Sequence, residues 1–469
     1  MIGVEADREI RLSEVLGALS FALDITEGQP EGHAVKSCII GMRLAEALKL
    51  PAAQCSALFY ALLLKDVGCS SNAAKVCYLF GADDQSVKRD YKTTDWPNLV
   101  QSFLYVARNV VPKGSPIERA FQVVKVAVVG SSKELVELRC ERGAQIARGL
   151  DFPEETAEAI RTLDEHWDGR GQPEGLQGDA IPLLGRILGL AQTVEIFFST
   201  YGEAAAFEMV ARRRGTWFDP TLVDALISTR EDVVFWQRLV GDDPRAQLAA
   251  LEPEERVLMA DDACLDRIAR AFAEVIDAES SWTFRHSRAV AEIAVGVGQV
   301  LGFSHRDLRQ VERAALLHDI GKLGISNRIL DKPTGLTEQE RAAMSRHAEY
   351  TQRILGRVAS FRDVAALAGA HHERLDGQGY HRGIGAAELP MAARVIKVAD
   401  ICEALSVDRP YRPALAREEV FQIMGRDVGA SICPEAFEAL RVFLERDNPS
   451  PASAQPEAVD KGTLTAVGS

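Results

Sequence analysis

Apolar residues recur at helical spacing in VLGALSFALDI (15–25), CIIGMRLAEAL (38–48), AVAEIAVGVGQVL (289–301) and DVAALAGA (363–370). No stretch sustains the strict alternation of a half-buried strand, so the chain reads as helix after helix, an all-α architecture. Pro182 and Pro390 each precede an apolar helical run and predict matching helix starts. The pattern also repeats. GHAVKSCIIGMRLAEALKL (32–50) parallels RHSRAVAEIAVGVGQVLGF (285–303), and ALLLKDVG (61–68) parallels AALLHDIG (314–321), both at an offset of 253 residues. DEHWDGRG (164–171) parallels HERLDGQG (372–379), and IPLLGRILGLAQTVE (181–195) parallels LPMAARVIKVADICE (389–403), both at an offset of 208. The first copy therefore carries 45 extra residues (253 less 208) within about 69–138, where the polar stretch KRDYKTTDWPN (88–98) reads as a solvated loop.

The length of 469 residues suits two or three domains, and 47% hydrophobic residues supply a sizeable core. A net charge of −14 disfavours a protein that tracks a nucleic-acid backbone, so DNA is not an expected partner. No apolar run approaches a membrane span, and MIGVEADREIRLSE lacks the basic stub and apolar stretch of a signal peptide. These features read as a cytoplasmic chain with no membrane partner. The eight cysteines form no CxxC pair, which argues against a disulfide framework or a zinc ribbon.

Seven of the nine histidines fall within residues 281–400. Imidazoles clustered beside carboxylates are what a metal site requires. His318 and Asp319 close the apolar run AALLHDIGK, read as a buried helix ending at Gly321. Adjacent helical residues diverge by about 100°, so one rigid element offers two ligands. Asp319 also has two oxygens with which to bridge two cations. Asp400 sits in the apolar helix RVIKVADICEAL, where an unpaired carboxylate is costly to bury and a cation would offset the cost.

HDIGK at 318–322 resembles the signature of the HD metal-dependent phosphohydrolases, and HHERLDGQGYH at 371–381 resembles the longer signature of the HD-GYP subfamily. RHSRAVAEIA, RHAEYTQRIL, RVIKVAD and DRPYRPAL stand around them in the family's order, so the resemblance covers about residues 265–445. It implies that His286, His318, Asp319 and Asp400 hold one metal, while Asp319, His347, His371 and His372 hold a second. The donor set suits two divalent ions, iron or manganese, with a bridging hydroxide as the attacking group. Asp319 and Lys322 would be catalytic, Lys322 as the stabiliser of charge developing on phosphate. Lys322, Arg374, Gly379, Tyr380 and Arg409 would contact substrate, with Gly377 and Gly379 giving the loop of Tyr380 its positive-φ backbone. The implied function is a phosphodiesterase acting on a cyclic dinucleotide, cyclic di-GMP giving pGpG or GMP. Alternatives are an HD phosphohydrolase acting on another phosphorylated nucleotide, and a receptor that binds the dinucleotide without turnover. Trp282 replaces the glutamate of members with a third metal, so two ions are expected. His381 replaces the motif proline.

Carried back along the repeat, the ligand positions become His33, Lys65, Asp66, Arg139, Leu163, Asp164 and Gln192. Neither cation donates a lone pair and leucine cannot ligate, so no dinuclear site assembles from this set. Lys65 and Arg139 are expected to supply the positive charge that metals gave Asp66 and Asp164. The chain divides on this reading into a degenerate HD-GYP-like domain (1–245), a helical connector (246–262), a catalytic HD-GYP-like domain (263–447) and a disordered tail (448–469). The degenerate domain offers a surface for a homodimer or a signalling partner.

Overall fold

The computed structural model describes residues 11–94, 104–106, 108–111, 115–129, 132–241, 244–253, 258–280, 285–408 and 412–447. The tail, Trp282 and Arg409 lie outside these residues. Among the described residues the secondary structure is helical, and strand pairing is limited to four isolated bridges.

The two sequence copies fold alike. His33–Ala47 and His286–Val300 are matching helices, each preceded by a residue in the left-handed region, Gly32 and Arg285. A buried aspartate caps each start. Asp24 accepts from the Gly32 and Ala34 amides at 2.8 and 2.9 Å, and Asp277 accepts from the Ser287 amide at 3.1 Å. The helices that carry Gln192 and Asp400, Leu183–Tyr201 and Met391–Ser406, begin after Pro182 and Pro390 as expected. Gly68 and Gly321 make the same close approach. A Cβ on Gly68 would lie 2.0 Å from the Arg139 carbonyl, and one on Gly321 would lie 2.0 Å from the His347 carbonyl.

The halves interlock through their first helices. Leu12–Thr26 packs on the 3-10 turn Ile320–Gly324 of the second half, and Asp262–Glu279 packs on the turn Cys69–Asn72 of the first. One continuous apolar core therefore runs through both, from Leu16 and Leu62 to Leu317 and Ile396. Between the halves, Pro244–Leu251 is helical and packs on His33–Ala47, whereas residues 258–261 are extended, with Leu12 donating to the Leu258 carbonyl at 2.8 Å.

The stretch 88–98, expected to be a solvated loop, is helical as far as Thr93, and its residues 95–98 lie outside the described residues. Ala73–Phe80, Asp84–Thr93 and Pro116–Val129 are helices around a small apolar cluster of their own, including Leu79, Phe80, Val87 and Tyr105. Asp84, Lys88 and Lys92 share one face of Asp84–Thr93 and that face turns inward, whereas Arg89 is exposed.

Candidate metal centre

The sequence places His318 and Asp319 at a helix end, but the α-helix stops at Leu317 and the pair occupies the joint before the 3-10 turn Ile320–Gly324. Thr351 holds this joint. Its hydroxyl accepts from the Gly321 amide at 3.0 Å and donates to the His318 carbonyl at 2.8 Å. His347 comes from the helix Glu338–Leu355, His286 from the first turn of its helix, Asp400 from Met391–Ser406, and His371 and His372 from the turn after Arg362–Ala368. All seven predicted donors converge.

Asp319 stands between two sets of them. Its Oδ2 lies 3.5 Å from His286 Nε2 and 3.3 Å from His318 Nε2, with Asp400 Oδ1 3.5 Å from His286 Nε2. Its Oδ1 faces the other way, 3.5 Å from His347 Nε2 and 3.8 Å from His371 Nε2. His347, His371 and His372 form a further group close enough to share one ion.

The outer nitrogens of four of the five histidines are engaged. His286 Nδ1 meets Glu403 at 2.5 Å, and the Nδ1 atoms of His318, His347 and His371 donate to the carbonyls of Ala315, Met344 and Ala368 at 2.7, 2.7 and 2.6 Å. These bonds fix each Nε2 lone pair toward Asp319, the arrangement that ligating histidines need. Two inward atoms, His318 Nε2 and Asp319 Oδ1, are buried without a hydrogen-bond partner. Orphans of this kind are costly in a closed core, and cations on the two sides of Asp319 would satisfy both. The residues present therefore fit a metal.

Electrostatics divide the cluster. Burial opposes charge on His286, yet Asp319 and Glu403 draw its pKa up to about 9. Burial, reinforced by Lys322 and then His318, pushes His347 down to about 4, and burial reinforced by neighbouring imidazoles pushes His372 to about 3, with His371 also lowered. The latter three are neutral at pH 7, the form in which an imidazole offers a lone pair to a cation.

Around the centre, Lys322 Nζ reaches Asp319 Oδ2 at 2.5 Å and stays a quarter exposed. The Tyr380 ring lies against His372 at 4.8 Å between centroids. Arg374 is engaged by Asp376 at 2.9 and 2.7 Å, which ties the loop to itself. Gly377 has the expected positive φ of 73°, but Gly379 does not. Gly379 is needed for close approach instead, since a Cβ there would lie 2.5 Å from Glu373 Cα. The Tyr380–His381 peptide is cis, as is Gln172–Pro173 at the equivalent place in the first half.

The first half keeps the scaffold, with His33 and Asp66 in place, and exchanges the other donors. His33 Nδ1 pairs with Glu195, as His286 pairs with Glu403, but His33 Nε2 accepts from Lys65 Nζ at 2.8 Å. Lys65 also pairs with Asp66, and Arg139 with Asp164, as the sequence led us to expect. The sequence reading missed Lys92. From the insertion helix it reaches Asp66 at 3.1 Å and Glu27 at 2.7 Å. Glu403 was also missed, although a glutamate closes both copies of the repeat at 195 and 403.

A sequence model of the HD domain family matches residues 128–222 and 270–434. The chain is 42% identical to the 3'3'-cGAMP-specific phosphodiesterase 3 of Vibrio cholerae, over 94% of this chain and 96% of that protein. It is 38% identical to a cyclic di-GMP phosphodiesterase of Thermotoga maritima, over 35% of this chain and 45% of that one. Its fold is similar to the crystal structure of a cyclic GMP-AMP specific phosphodiesterase of V. cholerae, with TM-score 0.64 and 37% identity over 93% of this chain and 98% of that chain. Both halves align with that relative, the matched donors surround one carboxylate, and the chain belongs to the HD domain family, in its HD-GYP phosphodiesterase branch.

Proposed function

We propose that this chain hydrolyses a cyclic dinucleotide at a dinuclear centre in its second half. The observation that carries this reading is the Asp319 carboxylate, whose two oxygens face two separate sets of buried donors. His286, His318, Asp319 and Asp400 would hold one ion, and Asp319, His347, His371 and His372 the other. A mixed set of imidazole and carboxylate donors favours iron or manganese. When bound, the ions supply Lewis acidity and lower the pKa of a water.

The chain's own groups do the rest. The carbonyl and Glu403 partners of the histidines hold the donors rigid, which costs no reorganisation during reaction. Lys322, partly exposed and held at Asp319, is placed to offset charge developing on a phosphoryl oxygen. Tyr380 and the close-packed turn at Gly379 shape the approach beside His372. Arg374 and Arg409 are further candidates for the phosphates, Arg374 once released from Asp376.

For the base identity, the relative that aligns with both halves bears the name of a 3'3'-cGAMP-specific enzyme, whereas the T. maritima cyclic di-GMP enzyme aligns with about a third of the chain. This favours the mixed guanine–adenine dinucleotide over cyclic di-GMP. The test is chromatographic turnover of both dinucleotides, with metal content by elemental analysis, on the parent and on Asp319→Asn. Two metals per chain, turnover of 3'3'-cGAMP above cyclic di-GMP, and loss of metal and turnover in the variant are expected. A metal-loaded parent that cleaves neither dinucleotide would overturn the proposal.

A further inference from the structure

The insertion of the first half encloses a cavity of about 210 Å3. Val76, Leu79, Phe80, Tyr105 and Val136 form apolar walls, and Glu27, Lys88 and Arg139 close one end. Those cations already have work. Lys88 donates to the Thr26 and Cys69 carbonyls at 3.3 and 3.0 Å, and Arg139 pairs with Asp164. Asn72 differs from them. Its amide nitrogen donates to the Leu135 carbonyl at 3.3 Å, but its Oδ1 is buried at the cavity wall without a hydrogen-bond partner, on a residue only 6% exposed.

An apolar cavity of about 150 Å3 holds benzene. One of 210 Å3 accommodates a bicyclic ring, and a buried orphan acceptor is costly until a donor reaches it. We propose that this cavity is a binding site for a small, flat, apolar molecule with a single N–H or O–H donor, which donates to Asn72 Oδ1. The occupant is uncharged, because each charged group at the polar end already has an ion partner, Glu27 in Lys92, Lys88 in Asp84 and Arg139 in Asp164.

The site is wired to the second half. The helix Asp84–Thr93, whose Val87 and Lys88 line the cavity, also carries Gln85 and Asp84. Gln85 Nε2 donates to the Leu323 carbonyl at 3.0 Å, one residue after Lys322, and Asp84 Oδ1 accepts from the Asn327 amide at 3.3 Å. Occupancy braces this helix, and through it the turn that follows Asp319.

Indole is the probe, measured by calorimetry on the full chain, with 1-methylindole as the version lacking the donor. Saturable one-to-one binding of indole is expected. Removal of the donor in 1-methylindole, or of the acceptor in Asn72→Leu, should weaken it about two- to tenfold, the range of a single neutral hydrogen bond. Val76→Phe fills the cavity and should abolish binding while the far-ultraviolet circular dichroism stays that of the parent. If Val76→Phe fails to fold, Asn72→Leu and 1-methylindole still decide the matter. Absence of saturable binding, or equal binding by Val76→Phe, would overturn the site. Amide hydrogen exchange tests the coupling: indole should slow exchange in 73–93 and also in 322–331. Protection confined to 73–93 would overturn the link between the halves.

Discussion

Gly321 and Gly68 provide a paired test of where the chemistry lies. Each sits where its turn touches the helix carrying the next ligand position, so alanine at either would place a Cβ 2.0 Å from a backbone carbonyl. On Gly321 the obstacles are the His347 carbonyl and, at 2.6 Å, the Thr351 amide; on Gly68 they are the Arg139 carbonyl and the Gly143 amide at 2.6 Å. Ordinary contact begins at 3.4 Å, so each turn must part from its helix by about 1.4 Å. Forced shifts of this kind cost about 1–3 kcal/mol, which should lower Tm by a few degrees in both variants. The functional costs diverge. In Gly321→Ala the helix pushed aside carries His347, and a displacement near 1 Å at a reacting centre is worth roughly 100-fold in rate. In Gly68→Ala the displaced residue is Arg139, which ligates nothing. The assay is elemental analysis, thermal melting and turnover of 3'3'-cGAMP on both variants. Gly321→Ala should lose metal and activity, and Gly68→Ala should lose stability alone. Parent metal content and rate in Gly321→Ala, or equal metal loss in both, would refute the assignment of His347 to the centre.

Removing the outer partner of His286 with Glu403→Ala should weaken metal binding about 10- to 100-fold, read by dialysis against graded chelator; unchanged retention would show that the carboxylate does not orient this imidazole. In the first half, breaking a buried ion pair costs about 3–5 kcal/mol when one charge is left alone. Arg139→Ala, which strips Asp164 of its partner, and Lys65→Ala should both lower stability in urea unfolding, Lys65→Ala less because Lys92 still holds Asp66. Parent-like midpoints for both would show that these cations do not replace metal charge. Burial alone would raise the Glu27 carboxyl, but Lys92, then Lys88 and Arg139, draw it down to about 2 from an ordinary 4.5. A depressed carboxylate adds stability above its unfolded pKa and loses it as pH falls through its folded value. The parent should therefore lose this contribution between about pH 4.5 and 2, and Glu27→Gln should have a flatter stability profile there in urea melts at stepped pH. Parallel profiles would contradict the pairing.

The sequence by itself determined the helical class, the internal repeat, and the set of histidines and carboxylates that the second half keeps and the first has largely exchanged. These are local properties. Helical spacing reports which residues face a core, and imidazole, ammonium and aliphatic side chains differ in lone pairs wherever they stand. HDIGK and HHERLDGQGYH therefore pointed to His318, Asp319, His371 and His372, and Lys65, Arg139 and Leu163 spoke against a second dinuclear centre. Periodicity does not say against what a buried face is packed. Only the tertiary structure put Leu12–Thr26 on the far half's 3-10 turn, and only it brought Glu403 to His286 across 117 residues of chain. Lys92 read as part of a polar loop because its partners, Asp66 and Glu27, lie 26 and 65 residues away. A charge run with no visible partner reads as solvent-exposed, and the fold alone supplies the partner. The same holds for the two faces of Asp319: the sequence supplied a carboxylate, and the convergence of five separate elements gave each oxygen its own set of donors.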